Sequence, residues 1–279
     1  MVYCSISAYG QTGVWRDRGG VDGILQASTG LMSTLGHAGA EPCKMPIPVV
    51  DMSTGYLAAN AVLAALFKSH RTGTSQHLDI SMFNCAVMLQ QTALAAWTMS
   101  GELPARSGSA APYAAPNEAY PTKHGWLMIA AYQDNQWHEL CRALQLTELA
   151  VHPDFASLAL RVQNRQRLKD VLSSRLAHKS AQEWEPLLHA HGIMCAEVAN
   201  YDVAANSPPF VDGALLQNLM HRRAGDISIP RFALEAAHRA VCHAPPALGE
   251  HTNAILTELG FSGEEIDAFA AHGFIGRLT

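Results

Sequence analysis

Paired cysteines are missing from this sequence: Cys4, Cys43, Cys85, Cys141, Cys195 and Cys242 lie far apart, with no CxxC spacing among them. That excludes a zinc knuckle and a redox dithiol, and it predicts reduced, buried thiols in a cytoplasmic protein. Charge is scarce too, at 15% Asp, Glu, Lys and Arg with a net of -5. Basic residues gather only in short pairs such as Arg222-Arg223, so no nucleic-acid partner is expected and small molecules are the better candidates. The opening Met1-Val2-Tyr3-Cys4-Ser5-Ile6-Ser7 lacks the basic and apolar regions of a signal peptide and reads as a strand. The longest apolar stretch, Leu57 to Phe67, gives way to Lys68-Ser69-His70-Arg71. It is too short to cross a bilayer, so it reads as a buried helix and no membrane partner is expected.

Familiar catalytic signatures are absent as well. There is no GxGxxG, GxxxxGK[ST], HExxH or GxSxG, which removes support for nicotinamide, P-loop, zinc-protease and serine-hydrolase chemistry. Fourteen histidines invite a metal site. Pairs such as His189 and His191 are spaced too closely to share a helix face, and no metal is expected. No internal repeat or low-complexity tract is present.

What is present is a chain of 279 residues, 48% hydrophobic, enough to bury one substantial core or two moderate ones. Residues 2–8 read as a short buried strand ended by the turn Tyr9-Gly10-Gln11-Thr12-Gly13. A helical face follows from Asp22 through Ile24, Leu25, Ala27, Leu31, Met32 and Leu35, and a loop with Pro42, Pro46 and Pro48 leads to Val49-Val50-Asp51. An apolar helix is predicted from about Ser53 to Phe67, a turn at Thr72-Gly73-Thr74-Ser75, a half-exposed strand over His77 to Met82, and another helix to about Met99. Between Gly101 and Pro121 the composition turns to Gly, Pro, Ser and Ala, the mark of a linker or mobile loop at a domain boundary.

Beyond that boundary the pattern predicts a strand at Trp126 to Ala130 and helices near Asn135 to Leu144, Val162 to Leu176 and Ala181 to His191. A segment Gly192 to Val198 completes an α+β unit. The stretch Asn206 to Phe210 leaves that unit, and a β-rich section surrounds Ile227 to Phe232. A helix then ends near Gly260, and a last helix opens at Ser262 with Glu265 completing a capping-box pattern.

Asp51 is the residue whose setting suits chemistry, because it stands where an extended segment gives way to a helix beside Ser53, Thr54 and Gly55. An N-cap role would explain it. The same place stabilises a carboxylate as the anion through the helix dipole and free backbone N–H groups, which keeps a nucleophile available.

Several segments, taken together, resemble one family. They are Val2 to Gly13, Pro48-Val49-Val50-Asp51-Met52-Ser53-Thr54-Gly55, Arg71 to Met82, Tyr120-Pro121-Thr122 to Trp126, Gly192-Ile193-Met194-Cys195, and Ala244-Pro245 to Leu248-Gly249-Glu250-His251-Thr252. In this order they resemble the class III coenzyme A transferases of the CaiB/BaiF, formyl-CoA transferase-like type, a superfamily shared with the α-methylacyl-CoA racemases. The resemblance implies an α/β fold, with a partial Rossmann-like large domain at residues 1–82, a linker helix at 83–105, a smaller α+β domain at 106–215 and a return to the large domain at 216–279. It implies Asp51 as the nucleophile of an acyl-CoA:carboxylate transfer, with an acyl-CoA and an acceptor acid as partners. CoA is then a substrate, and no cofactor is needed. It further implies CoA contacts at Arg18-Gly19-Gly20-Val21-Asp22 and a covering loop at Gly108-Ser109, although this chain has one of the glycines of that loop. Without the resemblance, residues 18–22 read as a Gly-rich turn with Asp22 capping the next helix.

The racemases of the superfamily move a proton with an Asp and a His, and the position of that His is held here by Val21. Valine carries no proton, which favours transfer over isomerisation. Members of the family ordinarily begin with βα units that nothing in this chain matches. The expectation is therefore a start placed too late, a separately encoded N-terminal half, or an inactive truncated member. The resemblance also implies an interlaced homodimer.

Overall fold

A computed structural model of the chain describes residues 1–233 and 243–276. Cys242 and part of the expected return segment lie outside the described residues. Residues 1–198 form one unit and residues 199–279 a second.

The first unit opens with β1 (Val2–Ser7), followed by α1 (Asp22–Ser28), α2 (Leu31–Thr34) and α3 (Val49–Thr72). β2 (Gln76–Ser81) runs parallel to β1, with Val2 opposite Gln76 and Ser7 opposite Ser81. Then come α4 (Met82–Leu89) and α5 (Gln91–Ser100). α3 packs on both strands, and Leu25, Val50 and Ala86 form a small core between α1, α3 and α4. Gly73 ends α3 in the left-handed conformation, its N–H donating to Ser69 O at 2.8 Å, as helix C-termini commonly do.

Several expectations for this half are corrected. β1 is not a buried strand, since Tyr3 and Ile6 are 58% and 51% exposed. Among the described residues β1 pairs with β2 alone, so it lacks the second neighbour that would cover it. The helix expected over 53–67 runs from Val49 to Thr72: the Asp22 carboxylate accepts from its first turn, and polar Lys68 to Thr72 continue it to the Gly73 cap. By length and composition it is long enough to cross a membrane, and it is buried on one side alone: Val50, Thr54, Ala58 and Ala65 are buried, while Tyr56, Leu63 and Phe67 are exposed. The single linker helix expected over 83–105 is two helices, broken at Gln90. The thiols are not uniformly buried either, for Cys43 is exposed.

The larger core of this unit begins with β3 (Asn117–Pro121), β4 (Trp126–Ala130), α6 (Asp134–Ala143) and α7 (Thr147–Ala150). It continues through α8 (Leu158–Gln163), α9 (Arg165–Leu176), α10 (Ala181–Ala190) and β5 (Met194–Glu197). The strands pair antiparallel in the order β3-β4-β5. Alternation buries Glu118 and Tyr120 of β3 and Leu127 and Ile129 of β4; Tyr120, Leu127 and Ile129 join a core with Trp137, Leu140, Leu168, Leu172 and Trp184, while Glu118 pairs with Arg165 and Lys169. Each such fully buried apolar side chain contributes on the order of 2 kcal/mol.

The stretch expected to be a linker or mobile loop is largely tied down. Ala110, Ala114 and Ala115 are buried. Arg165 donates to Ala111 O and Ala114 O at 2.6 and 2.7 Å, and Arg161 donates to Ala115 O at 3.1 Å. Residues 101–105 remain an exposed, irregular connection, and Gly108, Ser109, Pro112 and Tyr113 are exposed as well.

The second unit holds α11 (Tyr201–Ala205), α12 (Pro208–Asp212), the hairpin of β6 (Leu216–His221) and β7 (Gly225–Pro230), and α13 (Thr252–Glu258). α14 (Gly263–Ala271) closes it, and its capping box forms reciprocally between Ser262 and Glu265. The Ser262 backbone N–H and hydroxyl both donate to the Glu265 side chain and hold its carboxyl below the usual range.

Candidate active site

The first turn of α3 carries Asp51, and the fate of its backbone donors explains the local geometry. The free N–H groups of a helix N-terminus must find acceptors. Here Val49 N–H donates to Ile47 O at 2.7 Å, and Met52 N–H to Pro48 O at 3.0 Å. The two between them reach across the fold: Val50 and Asp51 donate to Oδ2 of Asp22 at 2.8 and 3.2 Å. The N-cap residue is Pro48, whose side chain caps nothing. Asp51 is the third residue of the helix and not its cap, which corrects the capping role that its position suggested.

With the donors satisfied from elsewhere, the Asp51 side chain is exposed, and its carboxylate has no hydrogen-bond partner among the described residues. It lies on the positive end of a 24-residue helix. Behind it, Ser53 Oγ donates to Val49 O at 2.6 Å and Thr54 Oγ1 to Val50 O at 2.7 Å. Cys85 Sγ of α4 approaches Ser53 Oγ at 3.4 Å.

Asp22 was expected to cap α1. The cap of α1 is Val21, and the Asp22 carboxylate serves α3 instead. Its other oxygen, Oδ1, accepts from Gln26 Nε2 at 2.5 Å. Gln26, fully buried, also exchanges hydrogen bonds with the backbone of Met45, at 2.9 Å to its N–H and 3.2 Å to its carbonyl. Gln26 was missed on the sequence; the signal available was its spacing of four from Asp22, which places the two on one helix face.

Residues 18–21 lie over the end of β1. Gly20 is required there, since a Cβ would come within 2.9 Å of the Ala8 side chain. The Arg18 guanidinium stacks 4.5 Å from the centre of the Trp15 ring, which meets Tyr9 and Phe83 edge-on. Arg18, Gly19 and Val21 are exposed. Of residues 18–22, the structure joins Asp22 to the base of α3. Gly108 and Ser109 make their hydrogen bonds elsewhere: Gly108 N–H donates to Gly36 O at 2.9 Å, and Ser109 Oγ accepts from Ala119 N–H at 3.0 Å. Arg106 ties the same segment to Ser33 O and Ala40 O at 3.2 and 2.6 Å.

An open groove of about 430 Å³ runs between α3, β2 and α4, lined by residues including Leu57, His77, Ser81 and Cys85, but neither Asp51 nor Asp22 lines it. Among the described residues no three His, Cys, Asp or Glu side chains gather as a metal-binding group.

The sequence profile of CoA-transferase family III matches residues 1–252. The chain belongs to that family. It is 33% identical over 279 residues to an acyl-CoA transferase of Fusarium pseudograminearum, covering 99% of this chain and 61% of that protein. It is 31% identical over 261 residues to the succinyl-CoA:glutarate CoA-transferase of Mus musculus, covering 93% and 60% respectively. The fold is similar to the crystal structure of a CAIB/BAIF family protein from Brucella suis, with a TM-score of 0.79 at 28% identity over 93% of this chain and 68% of that one. Rv3272 from Mycobacterium tuberculosis, at 29% identity over 91% of this chain and 68% of that one, gives a TM-score of 0.78. This family III chain spans about three fifths of the length of the first two relatives.

Proposed function

We propose that this family III chain transfers coenzyme A from an acyl-CoA to a carboxylic acid, with Asp51 as the nucleophile. The observation that carries the reading is an exposed carboxylate, without a partner among the described residues, on the first turn of α3, whose amide donors are already taken by Asp22. An unengaged carboxylate oxygen in such a place attacks a thioester carbonyl; the C–S bond breaks, CoA leaves as thiolate, and an aspartyl–acyl anhydride remains. The thiolate then attacks the aspartyl carbonyl, releasing the donor acid and leaving an aspartyl-CoA thioester. An acceptor carboxylate displaces CoA to form a second anhydride. CoA thiolate takes the acceptor's acyl group, and Asp51 is regenerated.

The loop Arg18 to Val21, adjoining α1 and the end of β1, is the proposed contact for the reactive end of CoA. Short dicarboxylic acids are the substrates favoured by the succinyl-CoA:glutarate, D-citramalate and mesaconate transferase names of the relatives. Proton transfer at Cα would need a second acid–base group, and exposed Val21 supplies none.

The test is to incubate the chain with a panel of acyl-CoA esters, quench with hydroxylamine and map the modified peptide by mass spectrometry. A hydroxamate at Asp51 that vanishes in Asp51→Ala is the expected outcome. Ester-dependent release of CoA with no modification at Asp51 would sink the nucleophile assignment.

A further inference from the structure

Asp22 is a carboxylate only 9% exposed, and both of its oxygens are engaged. Oδ1 takes Gln26 Nε2, and Oδ2 takes two amides of α3 from 28 and 29 residues along the chain. Gln26 in turn grips Met45 in the loop that delivers the chain to Pro48. Two side chains of α1 therefore fix both the approach to α3 and its first turn. A carboxylate accepting helix N–H groups is charge-assisted and lies along the dipole, so it makes a stronger cap than a neutral one. Three of the roughly four acceptor sites of the Asp22 carboxylate are thus used inside the fold, two of them on α3.

We propose that Asp22 is the positioning residue for Asp51, acting in two ways. It fixes the first turn of a long rigid helix, and thereby the backbone of Asp51, whose side chain has no restraining partner of its own among the described residues. It also occupies the N–H groups of Val50 and Asp51. Were they free, the nearest acceptor would be the Asp51 carboxylate, and acidic side chains in a first helical turn readily fold back onto such amides. A nucleophile captured in that way points along its own backbone and not at a thioester. The role rests on the reading of Asp51 as the nucleophile.

Two variants separate placement from charge or substrate contact. Asp22→Ala removes the acceptor. The exchange of Asp22→Asn together with Gln26→Glu moves the carboxylate to the neighbouring position of α1. It leaves an amide oxygen at position 22 facing α3, while the amide N–H₂ there donates to the carboxylate now at position 26, which still accepts from Met45 N–H and loses only the longer contact to Met45 O. The readouts are the rate of Asp51 acylation against acyl-CoA concentration, trapped with hydroxylamine, and hydrogen exchange at the Val50 and Asp51 amides. Asp22→Ala is expected to slow acylation at saturating ester by about tenfold or more, the scale of a misplaced reactive group, with the half-saturating concentration unchanged. Exchange at the two amides should accelerate. The paired exchange should restore the rate to within about threefold of wild type and the amide protection with it. Should Asp22→Ala not fold, Asp22→Ser, one atom too short to reach α3, is read the same way.

Equal losses in the alanine and exchanged variants would overturn the proposal. So would a raised half-saturating concentration at unchanged maximal rate, which would place Asp22 on the ester, or unchanged protection of Val50 and Asp51 in Asp22→Ala. Acylation of Asp51 in the wild type with an undiminished rate in Asp22→Ala sinks the positioning role alone. No acylation of the wild type sinks the nucleophile reading, and the positioning role falls with it.

Discussion

Gly108 lies against the imidazole of His37 so closely that any Cβ at this position would overlap the ring. Its φ is +63°, a region where only glycine rests without cost. With the Gly36 hydrogen bond, the His37–Ser107 bridge and the Arg106 contacts, this pairing fastens the segment before β3 to the loop after α2.

Two separate penalties are therefore expected from Gly108→Ala, one steric and one conformational, together about 2 kcal/mol. In the double variant with His37→Ala the steric part should disappear and the conformational part remain, giving a favourable coupling energy in a denaturant-unfolding cycle. Additive effects in that cycle would mean that His37 does not hold the segment. A Gly108→Ala change within about 0.5 kcal/mol of wild type would mean that the segment is not fastened at all.

Arg161 is a second long-range tie, with a fully buried guanidinium. It donates to Ala115 O and Phe155 O at 3.1 Å each, Tyr132 O at 2.8 Å and Asp134 Oδ1 at 3.0 Å, and it lies 5.4 Å from the Trp137 ring centre. Asp134 is 73% exposed, so the ion pair is screened by solvent and contributes little. The three carbonyls matter more, because losing their donor leaves buried acceptors unsatisfied. Arg161→Met is expected to cost about 3–5 kcal/mol, and Asp134→Ala under about 1 kcal/mol, in urea unfolding followed through the buried tryptophans. Comparable costs for the two would show that the ion pair carries the site.

What was legible in the sequence follows the range of the interactions involved. The Ser262 to Glu265 box was readable because its partners lie within one turn, and it forms as written. The helix expected over 162–176 is divided at Asn164, whose side-chain amide donates to Asp154 O and Leu160 O and competes with the helical ladder. The strand over Trp126 to Ala130 was readable from its apolar run, whereas β3 fell in the stretch expected as a linker or mobile loop, because its pairing with β4 is not a local signal. Asp22 could not be read: on sequence it looked like a local cap, and its real partners are 28 and 29 residues away. Thiol environments were equally hidden. Burial pushes Cys141 up to about 12 and Cys195 to about 11, while Cys43 lies exposed, and nothing in the local sequence distinguishes them.

The capping box of α10 carries a pH dependence whose sign is set by Glu183. The Ser180 backbone N–H and hydroxyl both donate to Glu183 Oε2, at 2.8 Å each, and hold this carboxyl below the ordinary 4.5 of a glutamate. A carboxyl depressed by folding stabilises the fold at pH values above its unfolded pKa, and that contribution is lost as pH falls through the folded value. Glu183→Gln keeps an acceptor oxygen but removes the titration, so subtracting its unfolding free energy from the wild type isolates this one group from Glu139, also held low, chiefly by its hydrogen bond with His191. The difference should favour the wild type and stay flat above about pH 5, then close progressively as the solution is acidified below the unfolded glutamate range. A difference that persists undiminished to about pH 3 would mean that the box is not held by the ionised carboxylate.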